Sequence, residues 1–420
     1  MKKKNNTNKK TRVVRAFCWA ASFCVLISLL SCNSSNKIKT ISETPLFNLK
    51  YGNFEEQLNL FNINNPGSIR TYMTMRDGFF YVVNGESNKV ISLNSYGDLL
   101  SLYYNEDAYS TNNAGLAEKS SSGIWKPISY PFTFNGKVSV DSRKYMYVVG
   151  TVPRERNEQN EEEKLLYSQV VLRATSDGSS IDYIGQEGPG GTPFPFIKDI
   201  YTTENDELVV VCTTNEGLTA YWFGTNGFLR YKIPVNVKEA PHVSSESLNG
   251  IGSSDLFVTV ENIIPDCYSL RLYVKIDYYL SHIDEEAKVQ SGIDYIESYI
   301  FPLNIETGMY GEPLSLPPYE ESITADFSKV TYKLPYDFLG VTKNGWLFFI
   351  ITTTSGFTVQ MIQPGTQLVQ KRNLDVDHTE TLYYSLSLSH EGIISALLAE
   401  KDSARMVWWR TDSLVDSVLR

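Results

Sequence analysis

One three-part unit recurs six times along this 420-residue chain, and that periodicity constrains the fold more than any motif does. Each copy begins with a tight polar turn running into a strongly apolar strand. The six are MRDGFFYVV (75–83), DSRKYMYVV (141–149), ENDELVVVC (204–212), GSSDLFVTV (252–260), TKNGWLFFI (342–350) and SHEGIISAL (389–397). A second apolar strand then closes on another turn: VISLNSYG (90–97), VVLRATSDG (170–178), TAYWFGTNG (219–227), YIFPLNIETG (299–308), VQMIQPG (359–365) and MVWWRTDS (406–413). In the first five copies a further short strand follows: LLSLYY, SIDYIG, FLRYKI, EPLSL and QLVQKR. Gly-containing polar turns between such runs are strong hairpin signals.

Strand–turn–strand–loop–strand–turn–strand, six times over, predicts the four-stranded blades of an all-β, six-bladed β-propeller. No segment after residue 35 has the period of an amphipathic helix, which excludes parallel βαβ units. Residues 240–330 read as one blade with a long hairpin insertion; two units there would make seven blades. The sixth unit ends soon after its third strand, so its outer strand must come from elsewhere, because an open edge invites aggregation. Residues 45–62, PLFNLKYGNFEEQLNLFN, have the alternation to supply it.

The segment GQEGPGGTPFPFIKDIYTTENDELVVVC (185–212) resembles the junction between blades of NHL-type six-bladed propellers, where G–F–P precedes a strand and a turn. The arrangement is similar to propeller lipoproteins of spirochaete type. Blades two and four are longer than NHL-type repeats, and the Asp near the end of the second strand is mostly absent. The resemblance implies binding or scaffolding more often than catalysis.

Ahead of the repeats, MKKKNNTNKKTRVVRAF carries seven Lys/Arg and no acid, and FCWAASFCVLISLL then leads to Leu29-Leu30-Ser31-Cys32. A basic region, a short apolar region and small residues before a Cys describe a lipoprotein signal peptide. The expected organisation is a signal peptide over 1–31, a polar tether over 32–44 and one propeller domain over 45–420. Cys32 is the expected lipidation site, because a thiol is readily S-alkylated by a lipid donor. The mature chain would carry 31 Lys+Arg (38 less the leader's seven) against 48 Asp+Glu, a net charge of −17. Such an acidic body argues against nucleic acid, leaving the acyl chains as its expected route to the membrane. The chain is expected to be an exported monomer in the bacterial envelope, at the outer membrane. Cys212 and Cys267 read foremost as buried thiols in neighbouring strands, and export would also permit them to pair.

Catalytic motifs are missing: there is no CxxC, GxSxG or P-loop, and His390-Glu391 lacks the second His of HExxH. No catalytic residue and no cofactor are assigned. His390 reads as a polar turn residue. Asp375, Asp377 and His378 have the donor types for a cation site, though the segment reads foremost as a solvated loop. The charge run RERNEQNEEEK (154–164) reads as a hairpin tip, and AYWFG and MVWWR as packing between blades. The turns after the first and third strands are tight. Insertions gather in the other set of loops: 104–133, 153–166, 185–197, 261–298, 317–336 and 372–382. One face of the disc should therefore be plain and the other elaborated, and elaborated loops on a rigid scaffold carry function. The expected function is non-enzymatic binding of a protein or peptide partner on that face. The alternative is a carbohydrate-active or other hydrolytic propeller with paired carboxylates near the central channel. A filled channel favours the first, and an open, acid-lined one the second.

Replacing Cys32 by Ala is expected to abolish palmitate labelling and detergent partitioning. A variant that still partitions like the parent would contradict the lipoprotein reading.

Overall fold

The computed structural model describes residues 38–61, 68–105, 126–131, 133–161, 164–179, 181–241, 243, 256–284, 289–325, 328–366 and 368–418. Of a leading unit, Met1–Lys39, only Ile38 and Lys39 fall within that set, and both are exposed. The second unit, Thr40–Arg420, is a six-bladed β-propeller.

The inner strands of the blades, in order, are Thr71–Arg76, Thr133–Val140, Ile197–Thr202, Leu256–Pro265, Asp337–Val341 and Tyr383–Leu388. Second strands are Phe79–Asn84, Met146–Thr151, Leu208–Thr214, Arg271–Asp284, Leu347–Thr353 and Ile394–Ala399. These account for the apolar runs of the sequence. Each second strand is sandwiched between neighbouring blades, so both of its faces are buried. In FFYVV, Phe80 and Val82 pack toward blade six, while Tyr81 and Val83 pack toward blade two. The core is accordingly divided into six apolar clusters, one per junction between blades. Trp222 lies in the junction of blades three and four, and Trp409 in that of five and six, as their strand contexts predict.

Blade six is completed by the N-terminal strand Thr44–Lys50, antiparallel to Ser403–Trp409 in a register running from Thr44↔Trp408 to Lys50↔Ser403. Leu49 is buried in the junction of blades six and one, and Phe47 meets Phe80 of blade one edge-on at 5.6 Å. Arg405 ties the seam by Nη1 to Glu43 and by Nε to Glu400, both at 2.5 Å. Tyr51 Oη donates to the Glu400 carbonyl at 2.6 Å. The expected closing segment is thus right in kind, although only Thr44–Lys50 forms the outer strand. Leu58 and Leu60 instead turn back into the same junction.

Blade four corrects the sequence reading in one respect. Leu256–Pro265 is its inner strand, the tight turn is residues 266–270, and the second strand starts at Arg271. The segment 261–298, expected as a loop, runs mostly through the long pair Arg271–Asp284 and Val289–Asn304. There is one blade here, so the count is six. Elsewhere the insertions fall as expected. The run at 154–164 forms a hairpin, Glu158–Asn160 with Leu165–Tyr167, and a second hairpin, Tyr319–Ala325 with Ser328–Leu334, fills the connection from blade four to five. Most of the 104–133 loop lies outside the described residues, as do Cys32 and His242.

Starting the chain at Tyr51 removes the closing strand and exposes the edge of Ser403–Trp409. That truncation is expected to self-associate, and Leu49→Ala in the full chain to lose about 2–5 kcal/mol in denaturant unfolding. A monomeric truncation with unchanged unfolding would contradict closure by this seam.

Candidate functional site

The two ends of the central channel are built differently. On the plain face, tight turns grip their neighbours in a complete circuit. Lys144 ion-pairs with Asp77, linking blades two and one. Asp206 Oδ1 accepts from Ser142 N at 2.9 Å and Ser142 Oγ at 2.7 Å, linking blades three and two. Glu204 N donates to the Cys267 carbonyl (2.8 Å), and Cys267 Sγ to the Val341 carbonyl (3.3 Å), carrying the chain of contacts through blade four to five. Lys343 N donates to the His390 carbonyl (2.8 Å), joining five to six. Arg76 Nη1 and His390 Nδ1 meet at 2.6 Å on the shared Glu204 carboxylate, which brings blades six and one together.

One contact crosses the channel rather than following the rim. Arg76 Nη1 also reaches Glu204 Oε1 at 2.8 Å, skipping blade two. His390 Nδ1 touches the same carboxylate oxygen. A ring nitrogen serves one partner at a time, so with Nδ1 protonated it donates to Glu204 while Arg76 binds the carboxylate directly. The His390 hydrogen bond, followed by that of Arg76, draws the Glu204 pKa down from 4.5 to about 2. His390 is therefore more than a turn residue. It belongs to a three-blade knot across the plain-face end.

At the other end the inner strands carry a tier of polar side chains three or four residues before their last residue: Tyr72, Lys137, Asp199, Glu261, Asp337 and Tyr384. Strand irregularities put several of them there. Ladder register shifts between Phe134 and Val138, Ile197 and Asp199, Val260 and Asn262, and Phe338 and Gly340. Bulges bend a strand and re-aim its side chains, and they gather at functional sites. Four of six inner strands bulge at this level, which moves Lys137, Lys198 and Glu261 out of simple alternation.

The tier rims a cavity of about 450 Å³ lined by all six blades. It runs along the inner strands from this tier, on the side reached by the connections between blades, to Arg76 and His390 at the plain-face end. Lys137 Nζ stands 3.4 Å from Asp199 Oδ2, and that carboxylate raises the lysine's pKa. Lys137 also lies over the Tyr72 ring, 5.1 Å from its centroid. Lys198 Nζ stands 3.6 Å from Glu261 Oε1. Asp337 differs. Its side chain is exposed at the wall of the channel, and among the described residues no side chain hydrogen-bonds or ion-pairs with its carboxylate. Burial raises its pKa, with the nearby Lys275 pulling the other way and Glu261 adding to the rise. Beneath the mouth, in the second strand of blade four, Lys275 Nζ donates to both oxygens of Asp277 (2.5 and 2.7 Å), and Ser298 Oγ adds a bond of 2.5 Å. This pair is buried and satisfied.

Asp375, Asp377 and His378 stand elsewhere, at the outer end of blade five. Asp375 is exposed. Asp377 Oδ1 accepts from Thr379 N (2.9 Å) and Thr379 Oγ1 (2.6 Å), which lowers its pKa. His378 Nε2 donates to the Gly356 carbonyl at 2.8 Å. Among the described residues no three His, Cys, Asp or Glu side chains are grouped to hold a metal ion. Cys212 and Cys267 are free and buried, and burial pushes the Cys267 thiol up to about 12.

No protein-family model matches the sequence, and no curated protein matches it. Among solved structures the chain is similar to a polysaccharide lyase (8% identity, TM-score 0.44, covering 89% of this chain and 99% of that one). It is also similar to a gluconolactonase from Xanthomonas campestris (9%, 0.38, 81% and 86%). A third is the β-propeller domain of the Trilobed protease from Pyrococcus furiosus (11%, 0.33, 81% and 82%). Likenesses this distant carry no reading of activity.

Because the Glu204 pKa is depressed when folded, its contribution is present above the unfolded value of 4.5 and lost as pH falls toward 2. Glu204→Gln is expected to cost about 1–2 kcal/mol at pH 7 and to flatten the stability curve through that window. Parallel curves for parent and variant would show that the knot does not form.

Proposed function

We propose that this chain is an exported, lipid-anchored binding protein that holds a small polar ligand in its central channel. The observation that supports this most is the charge-lined cavity of about 450 Å³ along the axis, within the range of small-molecule sites. The Arg76–Glu204–His390 knot crosses one end, so the ligand enters through the elaborated face. Hairpins and long connections around that face screen what reaches the mouth, and a peptide partner would meet the same surface. The leader and Cys32 support attachment to the membrane.

A second reading, hydrolysis, is favoured by Asp337 alone. An upward shift is the direction that suits a carboxyl to donate a proton to a leaving group. The two readings differ in what happens to the ligand, which is recovered intact after binding and cleaved after hydrolysis.

Thermal unfolding against a panel of sugars, amino acids, amines and nucleosides is expected to show at least one class that raises Tm by several degrees. The Thr74→Trp variant fills the channel from a half-buried wall position, so it should fold and lose that response. If no class raises Tm, or Thr74→Trp responds like the parent, the channel is not the site. Mass spectrometry of the bound compound separates capture from cleavage.

A further inference from the structure

The charge balance of the mouth narrows the ligand class, given the reading that the channel holds a ligand. At this level the cavity is lined by Lys137, Asp199, Glu261 and Asp337, and Lys198, which is not part of the lining, reaches Glu261 at 3.6 Å. Two lysines neutralise two of the carboxylates in the pairs Lys137–Asp199 and Lys198–Glu261. One negative charge is left over, on the one carboxylate without a partner. Lys275, the next cation, is already committed to Asp277 through both oxygens.

A carboxylate at the wall of a cavity gives up part of its hydration to the neighbouring protein, and a cation beside it offsets that loss. The paired lysines make the mouth unwelcoming to an anion, because any acid would compete with Asp199 and Glu261 for them. A neutral ligand could hydrogen-bond to Asp337 but would leave its charge uncompensated. A compact cation satisfies it. The rest of the tier suits an ammonium group attached to a small polar body. Tyr72 offers a hydroxyl, Ser139, Ser385 and Ser387 offer lone pairs beside their bonds to Thr202, Met73 N and Thr74, and there is room for about one sugar-sized molecule. The acidic body of the protein would also draw cations toward the mouth.

We propose that the channel mouth is a binding site for a small ligand carrying a primary ammonium group, with Asp337 as its counter-ion. The Lys137–Asp199 and Lys198–Glu261 pairs flank that ammonium and exclude carboxylate-bearing analogues. Asp337 begins the inner strand of blade five, just before the Phe338/Gly340 bulge. Its backbone is paired with Ile350, so the carboxylate is presented by a rigid strand.

The test is calorimetric titration of the full chain in detergent with probes of similar size and different charge. Glucosamine and cadaverine carry ammonium groups, glucose is neutral and glucuronate is anionic. The ammonium probes are expected to bind at least tenfold tighter than glucose, with glucuronate weakest. Asp337→Asn should lose that preference by tenfold or more while unfolding at the parental temperature, and Asp337→Glu should recover part of it. Equal affinity for glucosamine and glucose, preference for glucuronate, or an Asp337→Asn variant that binds amines like the parent would each overturn the assignment. Failure of the amines while a neutral or acidic member of the wider panel binds in a Thr74-dependent way would refute this ligand class and leave the channel reading intact. Failure of every compound would refute both.

Discussion

The architecture depends on the antiparallel seam between Thr44–Lys50 and Ser403–Trp409. Every other blade draws its four principal strands from one continuous stretch of chain, with Lys39–Ile41 added at the outer edge of blade five, and every junction between blades buries apolar side chains from both neighbours. A ring of this kind has no free end only if the last blade borrows its outer strand from the beginning of the chain. The seam satisfies the exposed edge of Ser403–Trp409, places Leu49 and Phe47 into the junction of blades six and one, and so makes six junctions of six blades. Pairing residues some 360 positions apart is entropically slow to form. Once formed, it fixes the radius of the ring and with it the width of the channel.

The channel then takes its chemistry from two kinds of polar placement. At the plain face, turns bond to neighbouring turns around the circuit, and Arg76, Glu204 and His390 reach across the axis. The Glu204 carboxylate is shared by Arg76 Nη1 and His390 Nδ1, while Arg76 Nε makes no hydrogen bond among the described residues. At the elaborated face, bulges in four inner strands bring charged side chains to a common level. A fold whose purpose was only to fill its centre would place apolar side chains there, because buried charge costs more than it returns unless it is paired. The mouth instead keeps one carboxylate unpaired in an open cavity, and that asymmetry between the ends gives the channel a direction.

Much of the scaffold was legible in the sequence, because its physics is local. Tight Gly turns and apolar second strands recur in every blade, and the missing last strand of unit six pointed to residues before the first repeat. In blade four the inner strand, LFVTVENIIP, is as apolar as a second strand, which makes GSSD read as the tight turn in place of DCYSL. The site was not legible. Asp199, Glu261 and Asp337 are three among 48 acids, and the common level they share appears only when the inner strands are aligned by their downstream turns. FNGKVSV, FIKDIYT and FVTVENII each break apolar alternation at the point where the ladder bulges. That was the available signal. Asp375, Asp377 and His378 drew attention because they are adjacent in sequence, yet two of them are occupied by hydrogen bonds to their own loop and to the Gly356 carbonyl.

The account stands most directly on the state of one carboxyl group. Carbon-detected NMR of Asp337 across a pH titration, with and without saturating glucosamine, reads it. The account predicts titration above the ordinary carboxylate range in the free protein and a downward displacement when an ammonium group sits beside it. An Asp337 that titrates at or below the ordinary range when free, and ignores the amine, would contradict it.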